Sequence, residues 1–204
     1  MLLLIILAIF SIIIHEVSHG AMAYVLGDDT AQNQGRLTLN PIPHIDLLGT
    51  IILPGALFSL SILTAKPLFI FGWAKPVPIN PYKLKKPKRD IALVGIAGPL
   101  SNLGIAVICG IIAANVNTYY LKSLFNNLGA INIILFTFNM LPVPPLDGSR
   151  LITGLLPRNL AIKYSRLEPW GFSILLVCIL LDPIRQVIFL TAAIIGSFLG
   201  ISFF

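Results

Sequence analysis

The chain has 204 residues, of which 56% are hydrophobic and only 11% are charged, and its mean hydropathy is +0.91. Soluble domains contain about 25% charged residues, so this composition excludes an ordinary soluble globule, a disordered chain and a nucleic-acid-binding tail. The net charge is +6, and in a membrane protein such an excess is typical of basic cytoplasmic loops. The length fits a single integral-membrane domain, residues 1–204, built from several helices of about 20 residues each.

Apolar segments alternate with polar, basic or proline-rich connectors along the chain. The apolar segments are 1–26, 48–72, 91–116, 128–141 and 171–204, and the connectors are 27–47, 73–90, 117–127 and 148–170. The last apolar segment is interrupted by Asp182 and Pro183, which predicts either one broken span or two short ones. The pattern predicts an all-α, multi-pass membrane protein with about five to six membrane segments.

The first apolar segment contains the motif His15-Glu16-Val17-Ser18-His19. His15 and His19 are four residues apart and share one helix face, so both imidazoles can bind one metal ion. Glu16 lies beside that face and can serve as general base toward a water activated by the metal. Histidines at membrane depth are costly and by default functional. Imidazole and carboxylate ligands with one open position are typical of catalytic zinc.

Asp147 is the predicted third ligand. It follows the proline-rich stretch 142–145, which must break a helix and should line a buried or wet cavity. Gly148 allows a sharp turn directly after it. The alternative is that Asp147 only caps the helix that follows. Asp46 and Asp182 lie in connectors and are weaker candidates, and His44 is predicted to bond the backbone of its own turn.

Five motifs resemble the site-2 protease family of intramembrane zinc metalloproteases. They are HEVSHG at 15–20, GRLTLNPIPHID at 35–46, FGWAKPVPINP at 71–81, AGPLSN at 97–102 and NMLPVPPLDG at 139–148. The resemblance covers nearly the whole chain and follows the motif order of the family. It is strongest to the compact bacterial branch, which lacks PDZ and CBS domains.

The resemblance implies one zinc ion (Zn²⁺) per chain and a set of residues that would bind it: His15, His19 and Asp147. It implies that Glu16 is the catalytic base, and that Asn102, with Asn139 as a further candidate, acts near the reacting carbonyl. From the residues alone, Asn102 could equally bond across a helix interface, because small residues surround it in this segment.

A shared zinc ion also constrains the topology. If all three ligands bind one ion, the first segment and the segment before Asp147 run parallel, and 91–116 runs antiparallel to both. The chain between the first segment and segment 91–116 must then leave the zinc side of the membrane and return to that same side. We therefore expect 48–72 to turn back as a re-entrant element, a bent helix through Pro54 followed by extended chain, which must be buried against protein.

The extended stretch 73–80 is a candidate for substrate contact. Its alternate residues Trp73, Lys75, Val77 and Ile79 carry N–H groups that could pair with an unwound substrate by strand addition. The alternative is a loop that only packs against the rest of the protein.

The basic residues are distributed unequally between the connectors. Connector 73–90 carries five lysines and one arginine, and 148–170 carries three arginines and one lysine, whereas 117–127 contains only Lys122. By the positive-inside rule the zinc side is cytoplasmic and the N-terminus lies outside. Lipid headgroups are expected to contact the basic run as well, and no nucleic-acid partner is expected.

These observations predict an intramembrane zinc metalloendopeptidase in the bacterial cytoplasmic (inner) membrane, with a transmembrane protein as substrate. The alternatives are a metal-binding or metal-transporting membrane protein without protease activity, and a non-catalytic member of the same family. A transporter should show further histidines or carboxylates along a path, and it has no evident need for Glu16 between the two histidines.

Overall fold

The computed structural model describes residues 2–64, 72–180 and 182–203, and these ranges form helices and connecting segments without a β-strand. The α-helices are α1 Leu2–Val25, α2 Thr30–Asn33, α3 Leu53–Thr64, α4 Pro87–Asn115, α5 Tyr119–Asn139, α6 Asp147–Leu155, α7 Arg158–Ser165, α8 Gly171–Leu180 and α9 Asp182–Leu199. A π-helical segment, Leu47–Ile52, leads into α3, and short 3₁₀ turns lie at Ile42–His44, Pro81–Lys83 and Glu168–Trp170.

Four helical stretches are long and apolar enough to cross a membrane. They are Leu3–Val25, Leu47–Thr64, Pro87–Asn115 and Tyr119–Asn139, and Ile184–Leu199 is a shorter apolar helix. The expectation of an all-α, multi-pass membrane protein is therefore confirmed.

Some predicted boundaries were wrong. The connector expected at 117–127 is largely the first part of α5, and only residues 116–118 separate α4 from α5. Polar composition suggested a loop there, but the stretch contains no proline or glycine that would end a helix. The last apolar segment, for which one broken span or two short ones were expected, is described as two helices, α8 and α9, with Pro183 in the first turn of α9, where proline is tolerated.

Side-chain contacts between α1 and α4 show the relative direction of these two helices. Near one end of the contact, the Asn102 side chain lies 3.5 Å from the Ser11 carbonyl oxygen, and nearer the other end His19 hydrogen-bonds the Val94 carbonyl oxygen at 2.6 Å. From the first contact to the second, the residue number increases in α1 and decreases in α4. The two helices are therefore antiparallel.

The contacts of α5 give its direction. Asn132 bonds to Asn102, and a Cβ on Gly129 would lie 3.2 Å from the Cβ of Cys109. This helix is therefore antiparallel to α4 and parallel to α1, the arrangement that a shared ion requires. An apolar cluster from α4, α5, α9 and the residues after it backs this contact: Ala106, Ala130, Ile133, Ala192 and Ile201.

The chain that follows residue 71 lies against the start of the π-helical segment. The Trp73 N–H donates to the Gly49 carbonyl at 3.1 Å, and the Lys75 N–H donates to the His44 carbonyl at 2.9 Å. The stretch between these contacts thus begins and ends at one place, which agrees with the predicted turn-back. The expected burial against protein was wrong, because no residue of α3 is buried and its apolar side chains are suited to lipid. Part of the predicted re-entrant element, residues 65–71, lies outside the described residues.

Candidate metal centre

The three predicted ligands meet at one point inside the helix assembly. His15 and His19 project from one face of α1, with their Nε2 atoms 3.1 Å apart. Oδ2 of Asp147 lies 3.1 Å from each of these nitrogens, and all three side chains are buried. The contacts bring together residues 128 and 132 positions apart in the chain.

Asp147 reaches this point because α6 starts immediately after the proline-rich turn. It is the first residue of α6, and the N-cap position is taken by Leu146. Its Oδ1 instead accepts from Nη1 of Arg150 at 3.3 Å. The alternative interpretation, in which Asp147 only caps the following helix, is therefore not supported.

Glycines allow the close approach of the backbone around α6. A Cβ on Gly148 would lie 2.4 Å from the Met140 carbonyl oxygen, and a Cβ on Gly154 would lie 2.4 Å from the Cβ of Ala92 in α4. Gly148 was expected to permit a sharp turn, but the structure requires it for this close approach to the end of α5. The result is that α6 packs tightly on α4 and holds Asp147 in place.

A third glycine faces the ligand atoms themselves. A Cβ on Gly98 would stand 2.4 Å from Nε2 of His19 and 2.7 Å from Nε2 of His15. Space that a side chain would fill is therefore left open directly at the nitrogens of the two candidate ligands. Donor atoms bound to tetrahedral zinc at 2.0–2.1 Å are separated by about 3.3 Å, which the observed 3.1 Å separations approach. The donor set and the open space both fit zinc.

The hydrogen bond on the far side of each imidazole ring indicates which ring nitrogen carries the hydrogen. Nδ1 of His19 donates to the Val94 carbonyl at 2.6 Å, because a carbonyl oxygen can only accept. Nε2 of His19 is then left with a lone pair, as a metal ligand requires. Nδ1 of His15 has the corresponding contact, 2.6 Å to the amide oxygen of Asn102.

Asn102 lies behind His15. Its side chain is fully buried, and its amide nitrogen donates to Oδ1 of Asn132 at 2.9 Å. These bonds favour an orienting role over the expected contact with a reacting carbonyl, since the amide N–H groups face protein. The second candidate, Asn139, donates to the Leu135 carbonyl within its own helix.

Glu16 is held by the extended segment. Its Oε2 accepts from the Val77 N–H at 3.0 Å, although the two residues are 61 positions apart. The side chain of Val77 is buried, and its Cγ1 lies 2.8 Å from the place that a Cβ on Gly20 would take. The extended chain thus lies against α1 at Glu16 and Gly20, the residues that directly follow the two histidines.

The availability of N–H groups for strand addition was predicted wrongly for three of the four residues, Trp73, Lys75 and Val77. Those of Trp73, Lys75 and Val77 are engaged by Gly49, by His44 and by Glu16, respectively. Period-two alternation identifies the N–H groups on one edge of an extended segment, but it does not show whether that edge already has a partner. The alternative of a segment that packs within the protein is supported for these three residues.

Sequence reasoning missed residues that anchor this segment. Nη2 of the buried Arg36 donates to the Lys75 and Pro76 carbonyls at 2.7 and 3.3 Å. The buried Asp28 accepts from the Asn80 N–H at 2.6 Å. Burial raises the pKa of Asp28, but its hydrogen bonds to Thr30 and Asn80 outweigh this and lower the pKa below its usual value.

Other predictions about polar side chains in connectors are confirmed. Nε2 of His44 donates to the Thr38 carbonyl at 2.9 Å, so it bonds the backbone of its turn as expected. Asp46 caps the π-helical segment by accepting from the Gly49 N–H at 2.7 Å.

Asn132 was missed by the sequence analysis, although a polar amide within the apolar run of α5 is the same signal that identified the histidines.

Comparison with known proteins places the chain among membrane proteases. Residues 110–181 match the model of peptidase family M50. The protein "Putative zinc metalloprotease YwhC" of Bacillus subtilis is 42% identical over 184 residues, which cover 85% of this chain and 78% of that protein. "Putative zinc metalloprotease Rip2" of Mycolicibacterium smegmatis is 25% identical over 197 residues, which cover 95% and 73%.

A third relative matches a shorter stretch. "Zinc metalloprotease MJ0392" of Methanocaldococcus jannaschii is 33% identical over 79 residues, which cover 37% of this chain and 22% of that protein. No solved structure is significantly similar to the chain. Because the similarity to YwhC extends over most of both proteins, the chain belongs to peptidase family M50, the site-2 protease family.

Proposed function

We propose that this protein is an intramembrane zinc metalloendopeptidase that hydrolyses peptide bonds of transmembrane proteins. The observation that carries the proposal is the convergence of Nε2 of His15, Nε2 of His19 and Oδ2 of Asp147 at 3.1 Å from one another. These atoms lie beside the open space at Gly98, within a domain whose long helices are apolar enough for a membrane.

The side chains have distinct roles in this proposal. His15, His19 and Asp147 would hold zinc, which would supply Lewis-acid chemistry at the scissile carbonyl. Glu16 accepts the proton of the attacking water and returns it to the leaving amine. The Val77 N–H holds one carboxylate oxygen of Glu16 at 3.0 Å and thereby orients the side chain. Asn102 orients His15 from behind.

A metal transporter is the second candidate, and the distribution of possible ligands disfavours it. Residues 2–64, 72–180 and 182–203 contain one cluster of three or more potential metal ligands of the histidine, cysteine, aspartate and glutamate types. This cluster is His15, His19 and Asp147. A transport path through the membrane would require further polar side chains along its length. Glu16 has a role in hydrolysis and none in transport.

The zinc site can be tested by replacing Asp147 with asparagine. We expect the purified wild-type protein to contain zinc and to cleave a transmembrane model substrate in a reaction that a chelator stops and added zinc restores. Asp147→Asn should lose most of the bound zinc, measured by elemental analysis, because a neutral amide is a poor ligand for this ion. Asp46→Asn is the matched control, since Asp46 caps a helix segment away from the histidines. Cleavage that persists in the chelator, or full zinc content in Asp147→Asn, would contradict the proposal.

We also propose that the site faces the cytoplasmic side of a bacterial inner membrane. Exposed basic residues lie directly before α4, and Lys122 follows its far end across a helix of 29 residues. Reporter proteins fused at Lys85 and Lys122 should therefore report opposite sides, with position 85 cytoplasmic. Enzymatic reporters active on only one side of the membrane provide the measurement. The orientation is refuted if both positions report the same side or if position 85 reports the outside.

A further inference from the structure

Three helices exchange hydrogen bonds through buried amide side chains behind the candidate metal centre. Asn132 of α5 bonds to Asn102 of α4, and Asn102 bonds to His15 of α1. Both asparagines are fully buried. We infer that Asn132 is a positioning residue, which fixes through Asn102 the tautomer of His15 that can bind zinc. The inference rests on the proposed function and extends it to a residue outside the motifs.

The first step is the orientation of Asn132. Its amide nitrogen donates to the Leu128 carbonyl at 2.9 Å and to Oγ of Ser11 at 3.0 Å. A carbonyl oxygen can only accept, and the Ser11 hydroxyl already donates to the Leu7 carbonyl at 3.0 Å. Both neighbours therefore require the nitrogen of Asn132 on their side, which leaves Oδ1 directed at Asn102.

The second step is the orientation of Asn102. Because Oδ1 of Asn132 accepts, the nitrogen of Asn102 must face it, at 2.9 Å. The amide oxygen of Asn102 then faces Nδ1 of His15 at 2.6 Å and can only accept a proton from it. Nδ1 therefore carries the ring hydrogen, and Nε2 presents a lone pair toward Asp147.

A reversed Asn102 amide would have the opposite effect. Its N–H would face Nδ1 of His15, so the neutral ring would carry its hydrogen on Nε2. That nitrogen lies 3.1 Å from both Asp147 and His19 and could no longer bind a metal. Asn102 alone does not select between the two orientations, since an amide can present either end to the ring. Two acceptors face the nitrogen of Asn102: Oδ1 of Asn132 at 2.9 Å and the Ser11 carbonyl oxygen at 3.5 Å. Asn132 accepts the shorter bond and therefore makes most of the selection.

The alternative is a purely structural role, in which Asn132 only holds the helices together, as buried amides in membrane proteins often do. The two interpretations differ in what happens when Asn102 is replaced by aspartate. A carboxylate has acceptors at both ends, so Asp at position 102 accepts from Nδ1 of His15 whatever faces its other oxygen. The positioning role of Asn132 is then redundant, whereas a role in helix packing is not.

The experiment measures zinc affinity of the full-length chain in detergent, by competition with a chromogenic chelator. Asn132→Leu should weaken zinc binding by about 10-fold or more, the range seen when a partner of a metal-bound histidine is removed. In the Asn102→Asp background, the same Asn132→Leu change should cause no further loss. Asn127→Leu is the matched control, because Asn127 lies in the same helix and its amide bonds only Ser123 four residues away in that helix.

Each outcome decides the matter. Wild-type affinity in Asn132→Leu, or an equal loss in both backgrounds, would overturn the positioning role and leave the zinc site intact. A loss confined to the Asn102 background supports it. A wild-type chain that binds no zinc would instead contradict the proposed function itself, so the two failures can be told apart.

Discussion

Replacing Glu16 with glutamine should lower peptide hydrolysis by roughly 10²–10⁴-fold, the usual contribution of a general acid–base group, while the zinc content stays unchanged. Glutamine has nearly the same shape, and its amide oxygen can still accept from the Val77 N–H, which lies 3.0 Å from the carboxylate. It cannot take a proton from water at neutral pH. The change therefore removes proton transfer and leaves the three ligands, His15, His19 and Asp147, in place.

Single-turnover cleavage of a transmembrane model substrate, together with elemental analysis of the same sample, measures both quantities. Glu168→Gln is the control, because Glu168 is the other glutamate of the chain and lies exposed in a 3₁₀ turn. If Glu16→Gln cleaves as fast as the wild type, Glu16 is not the base. If it loses zinc, the role of Glu16 lies in the site's structure instead.

A single methyl group at position 98 should remove the metal altogether. The Cβ of Gly98→Ala would stand 2.4 Å from Nε2 of His19 and 2.7 Å from Nε2 of His15, closer than atoms can pack. The imidazoles must then move away from position 98, and the methyl group fills the space beside them. We expect zinc affinity to fall by more than about 100-fold, beyond what the loss of an outer partner causes, and cleavage to fall with it.

Gly104→Ala separates this effect from a change in helix stability. Gly104 lies in the same helix, and a Cβ there would meet nothing within 4 Å. Alanine favours a helix over glycine by up to about 1 kcal/mol, so both variants should keep their helical content by circular dichroism. Only Gly98→Ala should lose zinc. A Gly98→Ala protein that retains wild-type zinc affinity would place the metal elsewhere.

The convergence of the three candidate ligands was predictable from the sequence for specific physical reasons. The i, i+4 spacing of His15 and His19 puts both rings on one helix face, whichever way the helix is turned. Asp147 follows prolines that must end a helix, so its carboxylate could face a cavity rather than lipid. The parallel arrangement of α1 and α5 followed from requiring these side chains to meet.

The residues that support the ligands were not predictable in the same way. Asn132 contacts Asn102 from 30 positions away, and Val77 contacts Glu16 from 61 positions away. Periodicity shows which faces of a helix are polar, but it does not show which faces of two helices meet. The predicted strand pairing failed for the same reason, since the acceptors for Trp73 and Lys75 come from a distant part of the chain.

The bond between Val77 and Glu16 has a consequence for the timing of catalysis. The same extended segment is fastened at Gly49, at His44 and, through Val77, at the proposed base. A polypeptide that pushes this segment aside on its way in must also release Glu16, and one that leaves the segment in position finds the carboxylate already aligned. A substrate that displaced this segment on entry would therefore also break the bond that holds the proposed base.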